Sequence, residues 1–422
     1  MLEAGFAEIE ITPPIGTRKI GWLKEIITDA VLSPLCARVA ILRSGEGQVA
    51  LVQLDTLFIA WPEVAAIRKT VGERWGFPGD HILVAATHNH AGPAVVHAGD
   101  VPQDEDYAAY LVSRVVTAFE RALKDLQPAE IGFGHTYEWA VAHNRRVVMR
   151  DGTARTHGTF DDLDALYLEG PIDPEVGVVG VRDLQGAWLG ALVNFACHPT
   201  HHGGDTVIDA GYPGVLARAM RDWGCPITLF LNGPSGNLHT SDPRAGGRGL
   251  SAEAAGAALA ADVQRVLPAL TFQRDLPLGT ASRLLALPYR TLADGEIGGR
   301  VRGAQRFIDA AIYERRIPEL VAKIRAREGV HRAEIQVLRL GAWFVVAVPG
   351  ECFVEFGLRI KEGAHPGHAW VVSCANGRAG YLPTEEAFRR GGYETTFGPS
   401  SMLAPEAGQM IVDTALELIN NI

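Results

Sequence analysis

The chain has 422 residues, of which 47% are hydrophobic and 21% charged, and it carries a formal net charge of −10. This composition is typical of a globular protein with a large core, and the acidic balance without a basic stripe argues against a nucleic-acid partner. No stretch approaches the roughly 20 consecutive apolar residues of a membrane span, so we expect no transmembrane segment.

The N-terminal residues and the cysteines bear on the cellular compartment. The chain begins MLEAGFAEIEITPP, which has neither a basic region nor an apolar core, so we do not expect a secretory signal there. The five cysteines are odd in number, scattered and mostly within apolar runs: Cys36, Cys197, Cys225, Cys352 and Cys374. This usage is typical of reduced, buried thiols. We therefore predict a cytoplasmic protein.

Strand and helix patterns alternate along nearly the whole chain. Short apolar runs predict strands at Ala7–Ile11, Arg38–Leu42, Val49–Leu54, Ile82–Ala86, Ile131–Phe133, Val178–Val181, Leu189–Phe195, Ile227–Leu231, Leu278–Ala286, Glu334–Leu340, Trp343–Val348 and Trp370–Ser373. Helical spacing of apolar residues predicts helices at Pro62–Trp75, Asp106–Leu126, Pro213–Trp223, Ser251–Leu267, Arg302–Arg327 and Pro405–Ile419.

This alternation predicts an α/β fold: a single large layered domain with mixed β-sheets flanked by helices. We expect residues 1–422 to form this one domain, because no low-complexity linker, repeat or long charge run divides them. Parallel crossovers are expected early in the chain. An antiparallel hairpin is expected where Gly341 separates two strands. The segment 279–332 carries few motifs, and we interpret it as a peripheral helical insertion or lid.

Three predicted strands end in residues that can bind a metal. The run ILVAATHNHAGP places His88 and His90 directly after a strand; VNFACHPT does the same for His198, and FVVAVPGE for Glu351. Strand ends are where α/β folds place their chemistry, and a zinc site with an open position takes about three protein ligands. Two other interpretations stay open. The first two histidines could be hydrogen-bonded surface residues, and Glu351 could cap a helix beginning near Phe353.

Several motifs together resemble one family. In chain order they are AEIEITPPIG, VQLDTLFI, THNHAGP, NRR, NFACHPT, NGPSGN, PGE and NGRAGYLPTEEAFRRGGYE. This series resembles the catalytic domain of the neutral ceramidase family, and the resemblance spans roughly residues 4–420. Members of that family are zinc amidases that hydrolyse the amide of N-acylsphingosine. The resemblance therefore implies Zn²⁺ as the cofactor.

Matched motif by motif, the resemblance also implies roles for individual residues. The implied zinc ligands are His88, His198, Glu351 and Tyr381. His90 would transfer protons, and Arg145 and Tyr393 would donate hydrogen bonds to the carbonyl oxygen as charge builds on it. Tyrosine is outside the common zinc donors, and Tyr381 taken by itself would be a core or rim aromatic. Arg145 could instead be a surface residue, and Asp55 could either orient a ligand histidine or form a buried structural hydrogen bond.

Two features separate this chain from the family pattern. The resemblance leaves no segment for the C-terminal β-sandwich of the full-length family members. We therefore expect zinc binding and amide hydrolysis to transfer better than lipid specificity. His201 and His202 have no match in the pattern. They could belong to a modified substrate loop, bind a second metal or face solvent.

The combined prediction is a zinc-dependent hydrolase that cleaves the amide bond of an N-acylated substrate, ceramide-like or smaller, with an activated water. The expected partner is thus a small-molecule or lipid-like N-acyl compound, and the oligomeric state stays open. Esters and lactones share the same oxyanion, so their hydrolysis is an alternative, as is a non-catalytic zinc-binding protein. A nucleophilic serine at Ser235 is weaker, because the residues around it lack the full nucleophile-elbow pattern.

Overall fold

The computed structural model describes residues 1–307, 310–326 and 329–422. Parts of two predictions, the helix at Arg302–Arg327 and the insertion at 279–332, fall on positions 308, 309, 327 and 328, which lie outside the described residues. The helices are Trp61–Trp75, Glu105–Lys124, Gly211–Trp223, Ala252–Val266, Asp294–Ile297, Ala310–Ala326, Val354–Gly363, Glu385–Arg390 and Ala407–Asn421. Among the described residues, no helix combines the length and the apolar character that crossing a membrane would need.

Within the described residues, the larger sheet has nine strands. Eight of them run in spatial order Thr228–Asn232, Trp188–Phe195, Glu175–Asp183, Gln127–Tyr137, Leu2–Glu10, Cys36–Ser44, Gly47–Leu54 and Ile82–Ala86, and Phe272–Gln273 pairs with the fourth. Neighbours are antiparallel except at the two ends of this order, where a helix crosses over between parallel strands. The predicted early crossover is therefore confirmed by the strand that ends before His88 and by the helix Trp61–Trp75 that leads to it.

A second sheet of four strands faces the first. Its order is Leu278–Pro288, Val330–Leu340, Trp343–Ala347 and His368–Val372. The second and third strands form the expected antiparallel hairpin at Gly341, and the third and fourth are parallel. Shorter strands surround the two sheets: Arg18–Ile20, Ile26–Ile27, Ala30–Val31, Gly92–Pro93, His143–Asn144, Arg146–Met149, Ala154–Thr156, Ala165–Leu168, Val207–Ile208, Leu238–His239, Glu351–Cys352 and Tyr381–Leu382.

The two sheets pack face to face, and helices cover both outer faces. Side chains alternate along each strand, so one side of the Leu2–Glu10 strand packs on the second sheet while the other side packs on helices. Leu111 and Val115 of the helix Glu105–Lys124 are fully buried against that outer face, as their spacing predicts. Helices Val354–Gly363 and Ala407–Asn421 cover the second sheet. The α/β layered fold class is confirmed.

Trp370 joins the two sheets. Its side chain is 1% exposed and lies in the cluster of apolar residues that both sheets share. A Cβ atom added at Gly177 of the first sheet would lie only 2.2 Å from the indole Nε1 of Trp370. The sheets therefore approach closely at this point because glycine leaves room for the indole.

The segment 279–332 contributes to the second sheet. Its first part belongs to the edge strand Leu278–Pro288, which pairs along its length with Val330–Leu340. Its helix Ala310–Ala326 places Ile317 and Val321 in the apolar cluster beneath that sheet. The lid hypothesis and the single-domain assignment for residues 1–422 stay predictions.

Candidate metal centre

Three histidines bring their Nε2 atoms together in the interior. The Nε2 atom of His88 lies 3.0 Å from that of His198 and 3.2 Å from that of His90. His88 and His198 are each 1% exposed. These three residues form a group whose ligand atoms could hold a metal ion. The open alternative, in which His88 and His90 were surface residues, is wrong.

Backbone carbonyls fix the orientation of all three rings. The Nδ1 atom of His88 lies 2.9 Å from the carbonyl oxygen of Leu57. His198 makes the same contact with Ser235 at 2.7 Å, and His90 with Gly21 at 3.0 Å. A carbonyl oxygen only accepts hydrogen bonds, so Nδ1 of each ring carries the proton and donates. Three Nε2 lone pairs then face one another, an arrangement that a cation satisfies.

Glu351 adds a carboxylate to the histidine cluster. One carboxylate oxygen lies 3.4 Å from Nε2 of His88 and 3.4 Å from Nε2 of His198. These histidines hold the pKa of Glu351 well below its usual range, although burial opposes the shift. Burial likewise lowers the pKa of His88, but Cys374 and Glu351 outweigh it and raise that pKa to about 10. Glu351 and Cys374 thus favour a positive charge at Nε2 of His88, whether a second ring proton or a metal ion supplies it.

The N-cap interpretation of Glu351 is wrong. The helix that follows is Val354–Gly363, its N-cap is Phe353, and no side chain caps it. Glu351 instead begins a short strand that pairs in parallel with Tyr381 and Leu382. This pairing brings the two predicted ligands Glu351 and Tyr381 side by side, although 30 residues separate them in the sequence.

Tyr381 contacts Arg145, another residue that the resemblance assigned to the site. Nη2 of Arg145 donates to the Tyr381 hydroxyl at 3.1 Å and to the carbonyl of Gly236, while Nε donates to Glu394 at 2.9 Å. Arg145 is 4% exposed, so the alternative of a solvated surface arginine is wrong. Tyr393 lies next to Tyr381, with the two ring centroids 5.8 Å apart.

The loop NGPSGN is the scaffold of the cluster. Asn232 donates to the carbonyl of Thr87, the residue before His88, and Ser235 supplies the carbonyl that orients His198. A Cβ atom at Gly236 would lie 2.5 Å from the backbone oxygen of Glu351, so only glycine allows this approach. Ser235 itself is 3% exposed, which does not suit the exposed nucleophile of a serine hydrolase.

The centre opens into a cavity of about 420 Å³. The polar part of its wall includes the cluster and both tyrosines. Aromatic and aliphatic side chains form much of the rest: Trp22, Leu23, Leu57, Phe58, Phe307 and Tyr313. Such a mixture, a few convergent polar groups within apolar walls, is typical of small-molecule sites.

Solved structures share this fold. A crystal structure described as neutral ceramidase from Pseudomonas aeruginosa superposes with a TM-score of 0.74 at 19% identity, over 100% of this chain and 75% of that one. The chain has the fold of neutral ceramidase. A structure described as ceramidase complexed with C2 gives a TM-score of 0.74 at 17% identity, over 99% and 74% of the two chains. No protein-family model and no curated protein matches the sequence.

Some residues that the sequence singled out lie away from the centre of this ceramidase fold. His201 contacts the carbonyl of Leu250 at 3.0 Å, and His202 contacts Asp205. Neither joins the histidine cluster. Asp55 bonds Arg38 and the amide of Cys36, so the carboxylate is a buried structural partner while Leu57 orients His88.

Three residues near the centre, His157, His239 and Cys374, carried no signal of a site in the sequence. His157 and His239 stack edge to face with centroids 4.8 Å apart, and both line the cavity. Cys374 places its sulfur 3.4 Å from Nδ1 of His88. His88 and Cys374 both have left-handed backbones, with φ of 67° and 54°. Such values in residues other than glycine are uncommon and concentrate at functional sites, but a sequence does not display them.

Proposed function

We propose that the chain is a zinc-dependent hydrolase that cleaves the amide bond of an N-acylated substrate. The observation that carries the proposal is the convergence of three Nε2 lone pairs and one carboxylate at the wall of a partly apolar cavity. Two solved structures with the same fold are described as ceramidase, which supports an acyl amide as the bond that is cleaved. We further propose a single domain, a cytoplasmic location and a small or lipid-like N-acyl partner.

We assign His88, His198, Glu351 and Tyr381 as the residues that hold the ion. Imidazole and carboxylate together suit zinc, which in catalytic sites leaves a position open. When bound, zinc supplies a Lewis acid and lowers the pKa of water towards neutrality. His90 lies at 3.2 Å from His88, so its ring is a competing candidate for the fourth ligand.

The surrounding side chains would handle protons and charge. Burial and the neighbouring histidines lower the pKa of His90 well below its usual range, so Nε2 is unprotonated at neutral pH. A proton that it took from the attacking water would pass readily to the leaving amine. Burial raises the pKa of Tyr393 to about 12, so its hydroxyl keeps a proton to donate to the developing oxyanion. Nη2 of Arg145 donates to the Tyr381 hydroxyl and to the Gly236 carbonyl. Arg145 would therefore hold the Tyr381 side chain in place.

The decisive experiment is zinc analysis of the purified protein together with release of free amine from N-acyl substrates, with and without a chelator. About one zinc per chain and chelator-sensitive release of amine would support the proposal. Matched O-acyl substrates in the same assay test the alternative: cleavage of esters alone would move the reaction to ester or lactone hydrolysis. Bound zinc without any turnover would favour a non-catalytic zinc-binding protein.

A further inference from the structure

Arg378 lies at the boundary between two cavities. It lines the 420 Å³ cavity that holds the histidine cluster, and it also lines a neighbouring cavity of about 660 Å³. The same side chain therefore faces the candidate reaction centre on one side and a larger space on the other. A substrate with its amide at the cluster has this guanidinium within the same cavity.

The charge of Arg378 has no counter-ion in the part of the chain that the structure describes. Its Nη1 donates to the backbone carbonyl of His97 at 2.6 Å, and its guanidinium lies 4.9 Å from the ring centre of Phe58. No carboxylate of the described residues lies within ion-pair distance of it. Arg145, the other arginine of this cavity, is instead paired with Glu394. A guanidinium offers five N–H donors, so most of those of Arg378 remain for a ligand.

The pKa shifts of cationic side chains in and near the cavity wall also indicate a shortage of negative charge around Arg378. Burial lowers the pKa of Arg378, although the more distant charge of Glu351 opposes the shift. Burial and then Arg145 lower the pKa of His157 to about 3. Burial, Arg316 and Arg378 lower the pKa of His97. The wall next to Arg378 therefore disfavours a further positive charge and favours an incoming anion, whereas Glu351 favours a cation at the histidine cluster.

The loop that carries Arg378 is held rigidly. The amide of Asn376 donates to Val84 in the first sheet, and its side chain bonds Glu334 and Gln336 in the second. The backbone is thus anchored to both sheets, and the guanidinium already donates to the His97 carbonyl, so less freedom is lost when it binds a ligand. Preorganised donors of this kind bind more tightly than mobile ones.

We propose that Arg378 binds the carboxylate of an N-acyl amino acid whose amide lies at the histidine cluster. The inference rests on the proposed amide hydrolysis and narrows it to acidic substrates. A planar guanidinium matches a carboxylate with two parallel hydrogen bonds, a fit that a neutral headgroup does not offer. Arg378 would thus determine specificity without taking part in bond cleavage.

Two measurements on the metal-loaded protein test the inference. The first compares kcat/KM for N-nonanoylglycine with that for its neutral primary amide. The second measures calorimetric affinity for a ketone in which a methylene replaces the amide nitrogen of N-nonanoylglycine, again beside its neutral primary amide. The ketone cannot be hydrolysed, so its binding is independent of turnover. The variants are Arg378→Gln and Arg378→Lys. Arg332→Gln is the matched control, because Arg332 lines only the larger cavity.

We expect the acid to be preferred over the neutral amide by about tenfold to a hundredfold in both measurements, as for other hydrogen bonds to charged groups. Arg378→Gln should bring that ratio close to one, Arg378→Lys should restore part of it, and Arg332→Gln should keep it. Equal preference in the unmodified protein, or an undiminished ratio in Arg378→Gln, would overturn the inference. Tight binding of the ketone acid without hydrolysis of any amide would instead refute the proposed reaction and leave the carboxylate site standing.

Discussion

Each histidine of the candidate metal centre bonds the backbone with one ring nitrogen and faces its neighbours with the other. Replacing His88 by alanine removes the ring whose Nε2 contacts both other histidines and Glu351. We expect His88→Ala to lose the bound zinc and all measurable amidase activity. Metal analysis and the amine-release assay check this. His202→Ala, a change of an exposed histidine paired with Asp205, should keep both. Stoichiometric zinc in His88→Ala would contradict the assignment.

The role of His90 is separable from that of His88. If its Nε2 transfers a proton and does not hold the ion, His90→Ala keeps one zinc per chain and loses about a hundredfold to ten-thousandfold in kcat, the usual contribution of a positioned general base. Zinc content and kcat measured on the same preparation distinguish the two cases. Loss of zinc would make His90 a ligand, and unchanged kcat would remove it from the reaction.

Glu394 ties Arg145 to the fold. Arg145 and Arg146 both pair with this buried carboxylate, and they lower its pKa from 4.5 to about 2 although burial opposes the shift. Because the pKa of Glu394 is lower in the folded state, its ionised carboxylate stabilises the fold at pH values above 4.5, the ordinary pKa. That contribution is lost as pH falls towards 2.

We expect Glu394→Gln to reduce the free energy of unfolding by about 3 kcal/mol at neutral pH, from the size of that pKa shift. Denaturant unfolding of both proteins at a series of pH values tests this prediction. The difference between them should narrow below the ordinary pKa of 4.5. A difference that widens as pH falls would contradict it.

At the scale of elements, the loop NGPSGN presses against the strand that carries Glu351. Gly236→Ala would place a Cβ atom 2.5 Å from the Glu351 carbonyl oxygen. We expect a loss of about 1–3 kcal/mol in unfolding free energy, typical of overpacking, and weaker zinc binding because Glu351 must move. Gly72→Ala is the control, because its Cβ would meet nothing closer than 3.5 Å inside the helix Trp61–Trp75. That change should stabilise by about 0.5–1 kcal/mol. Unchanged zinc affinity in Gly236→Ala would contradict the prediction, because it would mean that the loop moves and leaves Glu351 in place.

The elements themselves were largely predictable from the sequence. The apolar run Ile82–Ala86 coincides with the observed strand. The strand predicted at Ala7–Ile11 overlaps the observed strand Leu2–Glu10 but begins five residues late. A strand buried on both faces reads as a continuous apolar run, and one buried on a single face reads as an alternating run, so the sequence locates strands. Helix ends were less accurate: the last helix begins at Ala407, two residues after the predicted Pro405.

Apart from Tyr381, Arg145 and Tyr393, which the family resemblance supplied, the candidate site was predictable only where a motif ends a strand. His88, His198 and Glu351 each follow an apolar run, so their convergence could be anticipated. Arg378 and His239 have no such signal, because their places in the cavity depend on contacts between segments far apart in the chain. The cause is physical: pairing of distant strands and strained backbone angles are properties of the tertiary structure.

For the whole molecule, the shared core between the two sheets predicts a single cooperative unfolding transition. Trp370 fills that core, so Trp370→Ala should lower the free energy of unfolding by about 3–5 kcal/mol. Trp139→Ala is the matched control: this indole is 64% exposed, and its removal should change stability by less than about 0.5 kcal/mol. Denaturant unfolding followed by circular dichroism and fluorescence checks both. Two separate transitions would contradict the single-domain prediction.

The histidine and glutamate side chains of the candidate centre follow strands of different sheets. His88 comes after a strand of the first sheet, and Glu351 comes after a strand of the second. An unfolded chain cannot assemble these donors, so an ion that binds them adds to stability in proportion to the logarithm of its free concentration. Zinc supply would then regulate how long each molecule survives as well as how fast it works. In zinc-poor cells we expect proteases to degrade the metal-free form, so that the amount of this protein would follow the free zinc concentration.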